Sequence, residues 1–477
     1  MESATHQQPI SGSGSNRRYV RETQADGSSL IRVEGTNRDE NHAFITLARH
    51  FYLLGLPVPE VLSVSEDEIT YTQTDLGNTL LFDYLASGRQ SGDFTPKQKN
   101  LLEKTLRALP HIQIEGAEGL DWSVCFPVRE FDKRSIFWDL NYWKYCFLKN
   151  TKTEFSEPLL EDDFELMADT LLANQIQGFM YRDCQSRNVM VVEQNGEEQP
   201  YFIDFQGGRK GPVQYDVVSF LWQAKACFPD ALREQMIEVY LDELTAVMHR
   251  RGMSIDTVAF RKTLPHFVLF RTLQVLGAYG YRGLMERKQH FIDSIPFALQ
   301  NLQNLFGKHT FLQTDYPHIY KVCQSLQNHP LARIPQQTGQ QTSALQVTVY
   351  SFSYKKGIPA DASGNGGGYV FDCRSTHNPG KYEQYKSLTG RDQSVIDFLE
   401  QDGEILAFLN SVYALVDHHI ERYIECGFTH LQICFGCTGG QHRSVYAAES
   451  TARHIHQQYH LPVHLIHREQ SIEEWIY

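Results

Sequence analysis

The chain has 477 residues, 41% hydrophobic and 21% charged, a globular balance that excludes disorder over most of its length. A net charge of −13, from 44 basic and 57 acidic residues, argues against wholesale electrostatic binding to nucleic acid or anionic membrane. No stretch approaches the ~18 consecutive apolar residues of a membrane helix, no basic segment at the N-terminus leads into an apolar one, and the nine cysteines are too scattered for a disulfide framework. A cytoplasmic protein with reduced thiols and no membrane partner is expected.

In chain order, strands are predicted at 18–21, 29–33 and 69–73, with a helix between them that carries Phe44, Leu47, Ala48 and Phe51 on one face. Beyond Phe94 the pattern turns helical, and Phe164, Met167, Ala168 and Leu171 share one face. Short strands at 189–192 and 199–203 flank Asn195-Gly196, a strong hairpin signal. The stretch 217–306 is mostly helical. This pattern describes a strand-rich small lobe followed by a helical large lobe. Residues 334–344, IPQQTGQQTSA, carry no charge and no aromatic ring and read as a linker. The expected division is a first domain at 1–333, a linker at 334–345 and a second domain at 346–477. In the second, strands at 347–352, 368–372, 431–435 and 463–466 alternate with helical stretches at 404–426 and 443–458, the order of an α/β sheet.

The most informative segment runs from Tyr181 to Asn188, YRDCQSRN, followed after the hairpin by Ile203-Asp204-Phe205-Gln206. Asp183, Asn188 and Asp204 are the set that phosphoryl transfer needs. One carboxylate accepts the proton of an attacking hydroxyl, while an Asn and a second Asp hold Mg²⁺ against nucleotide phosphates. Upstream, Ser11 to Tyr19 reads SGSGSNRRY. Small residues let backbone N–H groups approach a phosphate, and Arg17 or Arg18 adds charge.

These motifs, with Leu56-Pro57-Val58-Pro59, Thr74-Asp75-Leu76-Gly77, Gly211 to Asp216 and Arg271 to Gly277, resemble the aminoglycoside-phosphotransferase/choline-kinase-like family. The closest branch is similar to the AmgK-type anomeric kinases of N-acetylmuramate and N-acetylglucosamine. The resemblance implies an α+β bilobal protein-kinase-like domain that uses ATP and Mg²⁺ on an amino-sugar substrate. It implies Asp183 as catalytic base, Asn188 and Asp204 as metal ligands, and Asp216 as a brace for the catalytic loop. The implied cofactor-binding set is Ser13, Gly14, Ser15, Arg17, Arg32 and Glu40. Two departures stand out: Tyr181 takes the place of a frequent His, and strand 29–33 lacks the usual Lys, Arg32 being its nearest cation. Asp132, Trp138, Asp139 and Trp143 suit a sugar, since rings stack on it and acids accept its hydroxyls, and they suit helix packing equally.

In the second domain, Gly436-Cys437-Thr438-Gly439-Gly440-Gln441-His442-Arg443-Ser444 follows a strand and opens a helix. A glycine turn at a helix N-terminus favours an anion, and Arg443 adds charge. Arg374, at the end of another strand, can face the same crevice. The spacing from Cys437 to Arg443 resembles phosphatase loops, but the loop fits another family better. With Ser351 to Pro359, Phe371-Asp372-Cys373-Arg374 and Leu388-Thr389-Gly390, it resembles the RapZ C-terminal domain. That resemblance implies an α/β domain that senses glucosamine-6-phosphate, with Thr438, Gly439, Gly440, His442 and Arg443 holding a phosphosugar ligand and Arg374 beside them. It also implies a homo-oligomer and RNA binding. The chain, however, ends in the acidic segment Ser471 to Tyr477, which lacks the Lys and Arg that RNA phosphates require. The expected function is thus an amino-sugar kinase of cell-wall recycling with a phosphosugar-binding domain. The alternative is a non-catalytic nucleotide and phosphosugar sensor, which the missing small-lobe Lys favours and the intact Asp183/Asn188/Asp204 set opposes.

Overall fold

The computed structural model describes residues 6–10, 17–173, 175–333, 345–361, 368–426, 428–459 and 461–476. They fall into two compact units, residues 1–335 and 336–477.

Unit 1 opens with an antiparallel sheet of β1 (His6–Ile10), β2 (Arg18–Thr23), β3 (Ser29–Glu34), β4 (Val61–Val64) and β5 (Thr70–Thr74), in the order β1-β2-β3-β5-β4. In β3 the alternation of the sequence sends Ile31 and Val33 into the core. The helix Arg38–Leu53 starts where the Asn37 side chain accepts the Glu40 N–H at 3.2 Å. Its buried Phe44 stacks on Tyr71 of β5 and on Phe205, with ring centres 5.3 and 4.9 Å apart. That contact ties the helix to the segment containing Asp204. β1 and β4, which had no clear sequence signal, complete the sheet.

The rest of unit 1 is helical apart from two short ribbons. β6 (Gln177–Met180) pairs with β9 (Arg209–Pro212), and β7 (Val189–Gln194) pairs with β8 (Glu197–Phe202). The β7–β8 turn sits on Asn195 and Gly196, both at positive φ (53° and 79°), as a tight hairpin requires. Two helices, Lys133–Trp143 and Thr257–Tyr279, cross so closely that a Cβ on Gly277 would come within 2.8 Å of the Trp143 nitrogen. The expected bilobal α+β arrangement of a protein-kinase-like fold is the one observed.

Unit 2 is an α/β domain. Strands β10 (Gln346–Ser353), β11 (Tyr369–Asp372), β12 (His430–Cys437) and β13 (Val463–His467) run parallel, and β14 (Ile472–Ile476) adds an antiparallel edge. The order is β11-β12-β10-β13-β14. The C-terminal residues, read in sequence as an acidic tail, are therefore a sheet strand. In register, Ser353 pairs with Cys437 and Asp372 with Gly436, so the ends of β10, β11 and β12 lie together at one edge. Among the described residues no helix is long and apolar enough to cross a membrane.

Candidate active site

In unit 1 a cavity of about 1020 Å³ is lined from the small lobe by Arg17, Glu40 and Tyr71, and from the large lobe by Asp183, Asn188 and Asp204. The loop between β6 and β7 carries the first two acceptors. It is pinned from below by Asp216, a buried carboxylate that accepts the backbone N–H groups of Tyr181 and Arg182 at 2.8 and 2.9 Å and the Gln113 amide at 2.9 Å. Tyr181, where the resembled family often has His, donates its hydroxyl to the Ile203 carbonyl and reaches the Asn188 carbonyl at 3.3 Å. It thus ties both halves of the motif together.

The Asp183 carboxylate is half exposed, and its Oδ1 accepts Arg271 Nη2 at 3.2 Å. Arg271 is itself held by the Ser219 hydroxyl at 3.1 Å. The Asn188 amide nitrogen donates to the Asp183 carbonyl at 2.9 Å and to Asp204 Oδ2 at 3.3 Å. Burial pushes the Asp204 carboxyl above the usual carboxylate range, Asp183 and Glu40 add to this, and Gln206 and Arg17 oppose it. A carboxylate crowded by other acids and flanked by the Asn188 and Gln206 side-chain amides offers oxygen donors to a hard divalent cation. The buried Gln206 amide oxygen, with no hydrogen-bond partner although the same side chain donates to Asp204 at 2.8 Å, fits a polar occupant there. Gln73, on the cavity wall, also has a buried amide oxygen without a partner, suited to the amine of a nucleobase. The residues present therefore fit a nucleotide and Mg²⁺.

Of the two small-lobe arginines expected at the cofactor, Arg17 lines the cavity and Arg32 does not. Arg17 is buried and its Nη2 lies 3.3 Å from Glu40 Oε1. Burial works against its charge, and Tyr71, Tyr19, Glu40 and Asp204 more than restore it. Arg32, expected to bind cofactor, is absent from the cavity wall, because alternation on β3 turns Ile31 inward instead. The Arg32 guanidinium pairs with Glu22 at 2.8 Å and with Glu34. Ser13, Gly14 and Ser15 lie outside the described residues.

Of the two readings open for residues 132–143, sugar binding and helix packing, the contacts of these side chains are those of packing. Asp132 caps its helix by accepting the Ser135 N–H at 2.7 Å, and Trp143 is fully buried. Asp139 takes Arg182 Nη2 on both oxygens at 2.7 Å. Trp138 is exposed, as is the capping Asp132, and lies beneath the Arg134 guanidinium at 4.9 Å. Sequence reasoning assigned no role to Arg271 or Arg187, although both lie within the quoted motifs, because what each side chain meets is set by tertiary packing.

In unit 2 the 437–444 loop opens the helix Arg443–Tyr459. Thr438 and Gly439 form its exposed rim, while Gly440, at φ 66°, is buried against Ser353. The His442 and Arg443 side chains are buried and engaged with backbone. His442 Nε2 contacts the Tyr385 carbonyl at 2.8 Å, and Arg443 Nη1 donates to the Arg374 and Thr376 carbonyls at 3.0 and 2.8 Å. They shape the loop and the 373–376 turn. Arg374 is exposed, paired with Asp372 at 2.6 Å and lying 4.2 Å from the Tyr354 ring centre. Burial alone would raise the Cys437 thiol. The Ser444 hydroxyl, 3.1 Å away, and the N–H groups of Ser444, Gly440 and Gln441 outweigh it and hold the thiol below its usual range.

Residues 345–471 match the RapZ C-terminal domain. Here the chain is similar to a nucleotide-binding protein of Xylella fastidiosa (strain M12), 38% identical over 125 residues, which are 26% of this chain and 41% of that protein. It is also 39% identical over 127 residues to a nucleotide-binding protein of Xanthomonas campestris pv. campestris (strain B100), covering 27% of this chain and 43% of that one. The chain thus spans less than half the length of these curated relatives. Among solved structures, unit 1 is similar to an aminoglycoside 2'-phosphotransferase in complex with GDP (14% identity, TM-score 0.44, 64% of this chain and 94% of that chain). It is also similar to choline kinase from Cryptosporidium parvum Iowa II (10% identity, TM-score 0.43, 66% and 93%). Residues 6–252, more than half of the chain, match the phosphotransferase enzyme family, and the protein belongs to that family.

Proposed function

We propose that unit 1 is an ATP- and Mg²⁺-dependent kinase acting on a hydroxyl of an amino sugar such as N-acetylmuramate or N-acetylglucosamine, and that unit 2 binds an amino-sugar phosphate. The observation that carries this reading is the meeting of Asp183, Asn188, Asp204 and the Arg17–Glu40 pair on one cavity. Asp183 is the proton acceptor: its exposed carboxylate is free to meet a substrate hydroxyl, and Arg271 fixes its orientation. Asn188 and Asp204 would hold Mg²⁺, which supplies charge neutralisation on the nucleotide phosphates. Arg17, steadied by Glu40, supplies the small-lobe positive charge that β3 lacks, which removes the main support for a non-catalytic sensor. The amino-sugar assignment rests on the resemblance of two unrelated halves of the chain to proteins of amino-sugar chemistry.

The test is ATP consumption by the full chain with Mg²⁺ and a panel of N-acetylmuramate, N-acetylglucosamine, glucosamine and an aminoglycoside. Turnover on an amino sugar is expected, reduced about 10²- to 10⁴-fold in Asp183→Asn with nucleotide binding retained. Silence across the panel from protein that still binds nucleotide would refute the kinase and leave the sensor.

A further inference from the structure

The arginines that build the cleft each have an acid within reach: Arg17 with Glu40, Arg21 with Asp75, Arg182 with Asp139, Arg271 with Asp183. One group beside the catalytic loop does not. Arg187 lines the cavity together with Asp183 and Gln185. Its guanidinium carbon lies 3.8 Å from the centre of the Phe82 ring, and that of Arg89 lies 3.4 Å from the same centre. Two like charges therefore share one aromatic ring. Lys225 is close enough for both arginines to act on its ammonium. Burial, with Arg187 and Arg89 adding to it, holds Lys225 below the usual lysine range, and Asp293 opposes this. Asp83 acts on both Arg89 and Arg187 in the same opposing sense. Yet among the described residues no carboxylate oxygen lies within 4.0 Å of a nitrogen of Arg89, Arg187 or Lys225. The Arg89 Nε is also buried with no hydrogen-bond partner.

Arg187 itself is exposed and open to a ligand, while Arg89 and Lys225 behind it are half-buried and, among the described residues, paired with no carboxylate; crowding three like charges in this way is costly, and a bound anion relieves it. The position names the anion's owner. Arg187 sits four residues after the proposed base and one before Asn188, so whatever it holds lies beside the hydroxyl that Asp183 would activate. We infer that Arg187, backed by Arg89 and Lys225, reads an anionic group on the acceptor, a carboxylate or a phosphate. The preferred substrate is then an acidic sugar rather than a neutral or cationic one. This rests on the kinase reading of the cleft and narrows it: N-acetylmuramate carries the required charge, N-acetylglucosamine does not, and an aminoglycoside is repelled.

The test titrates the full chain, loaded with Mg²⁺ and a non-hydrolysable ATP analogue, with N-acetylmuramate, glucosamine-6-phosphate and N-acetylglucosamine. Wild type and Arg187→Gln are compared, and only binding lost in the variant counts, which sets aside any sugar held by unit 2. An acidic sugar is expected to bind about tenfold or more tightly than the neutral one, as one charge-assisted contact allows, and Arg187→Gln should erase that preference. Arg187→Lys should restore part of it, and unchanged binding of the ATP analogue reports that the variants are folded. The acid whose affinity falls identifies carboxylate or phosphate as the group read. Equal affinity for charged and neutral sugars, or equal weakening of all of them in Arg187→Gln, overturns the inference. Turnover measured alongside separates the two readings. Charge-selective binding without phosphoryl transfer keeps this site and refutes the kinase. Transfer to neutral sugars, indifferent to Arg187, keeps the kinase and refutes this site.

Discussion

Arg17 and Arg32 lie fifteen positions apart and have opposite fates. Both are cations near strands that face a nucleotide cleft, and both read as cofactor ligands in the sequence. Alternation decides between them: Arg32 falls on the β3 face that turns away from the cleft, whereas Arg17, just ahead of β2, is buried against Glu40. A charge-assisted contact to phosphate contributes roughly 1.5–3 kcal/mol. Arg17→Ala should therefore lower kcat/KM for ATP about 10- to 100-fold. Arg32→Ala, whose partners Glu22 and Glu34 lie on the sheet surface, should stay within about twofold. Steady-state kinetics at varied ATP checks both, and a larger effect at Arg32 would sink the assignment. The same contrast shows what a sequence carries at this scale. Asp183, Asn188 and Asp204 were legible because their spacing is local. Arg271, 88 residues from Asp183, and Asp139, 43 residues from Arg182, were not, because only tertiary packing brings them there.

The loop that carries Asp183 is a strained element held by another element. Arg182 and Asp204 sit at φ 83° and 67°, a region where side chains other than glycine are uncomfortable, by about 1–3 kcal/mol each. The helix Gln214–Leu221 offsets this at Arg182: its Asp216 accepts two loop N–H groups, while Asp139 clamps the Arg182 guanidinium. Sequence motifs located the loop and the hairpin after it, but the left-handed residues, Arg182 in the loop and Asp204 beyond the hairpin, left no compositional trace, since neither is glycine. The brace carries a pH signature. Burial pushes Asp216 up to about 6, against the Gln113, Tyr181 and Arg182 hydrogen bonds that pull it down. An unfolded Asp titrates near ~3.9, so the native chain binds this proton first. The stability contributed by the group is complete below about pH 4 and is lost as pH rises through about 6. Asp216→Asn has no proton to take up. Urea unfolding should therefore show wild type gaining on Asp216→Asn as pH falls from about 7 to about 5. A gap that stays constant across that window contradicts the buried, raised carboxyl.

At the scale of the whole chain, two cores form that share no residue. One draws on Ile31 to Leu326 and the other on Leu345 to Leu465. Alternating strand and helix patterns made unit 2 legible from its parallel strands, whose largely apolar runs, such as LQICFGC with its one Gln432, are hard to mistake. The β14 edge escaped because Ile472-Glu473-Glu474-Trp475-Ile476 does not alternate apolar with polar residues and reads as a charged tail until β13 offers it a partner. Two closed cores predict two independent folding units. A chain divided between residues 335 and 336 should give two pieces that each unfold cooperatively at nearly the midpoints seen in the full chain. If the acceptor and nucleotide sites belong wholly to unit 1, residues 1–335 alone should transfer phosphate with kcat within about twofold of the full chain. At concentrations too low to occupy the acceptor site of unit 1, added phosphosugar should change the rate of the full chain only if unit 2 regulates unit 1, and should leave that of the fragment unchanged. A folded 1–335 fragment that binds ATP but no longer turns over would mean that unit 2 completes the reaction, and the division of labour proposed for the two halves would fall.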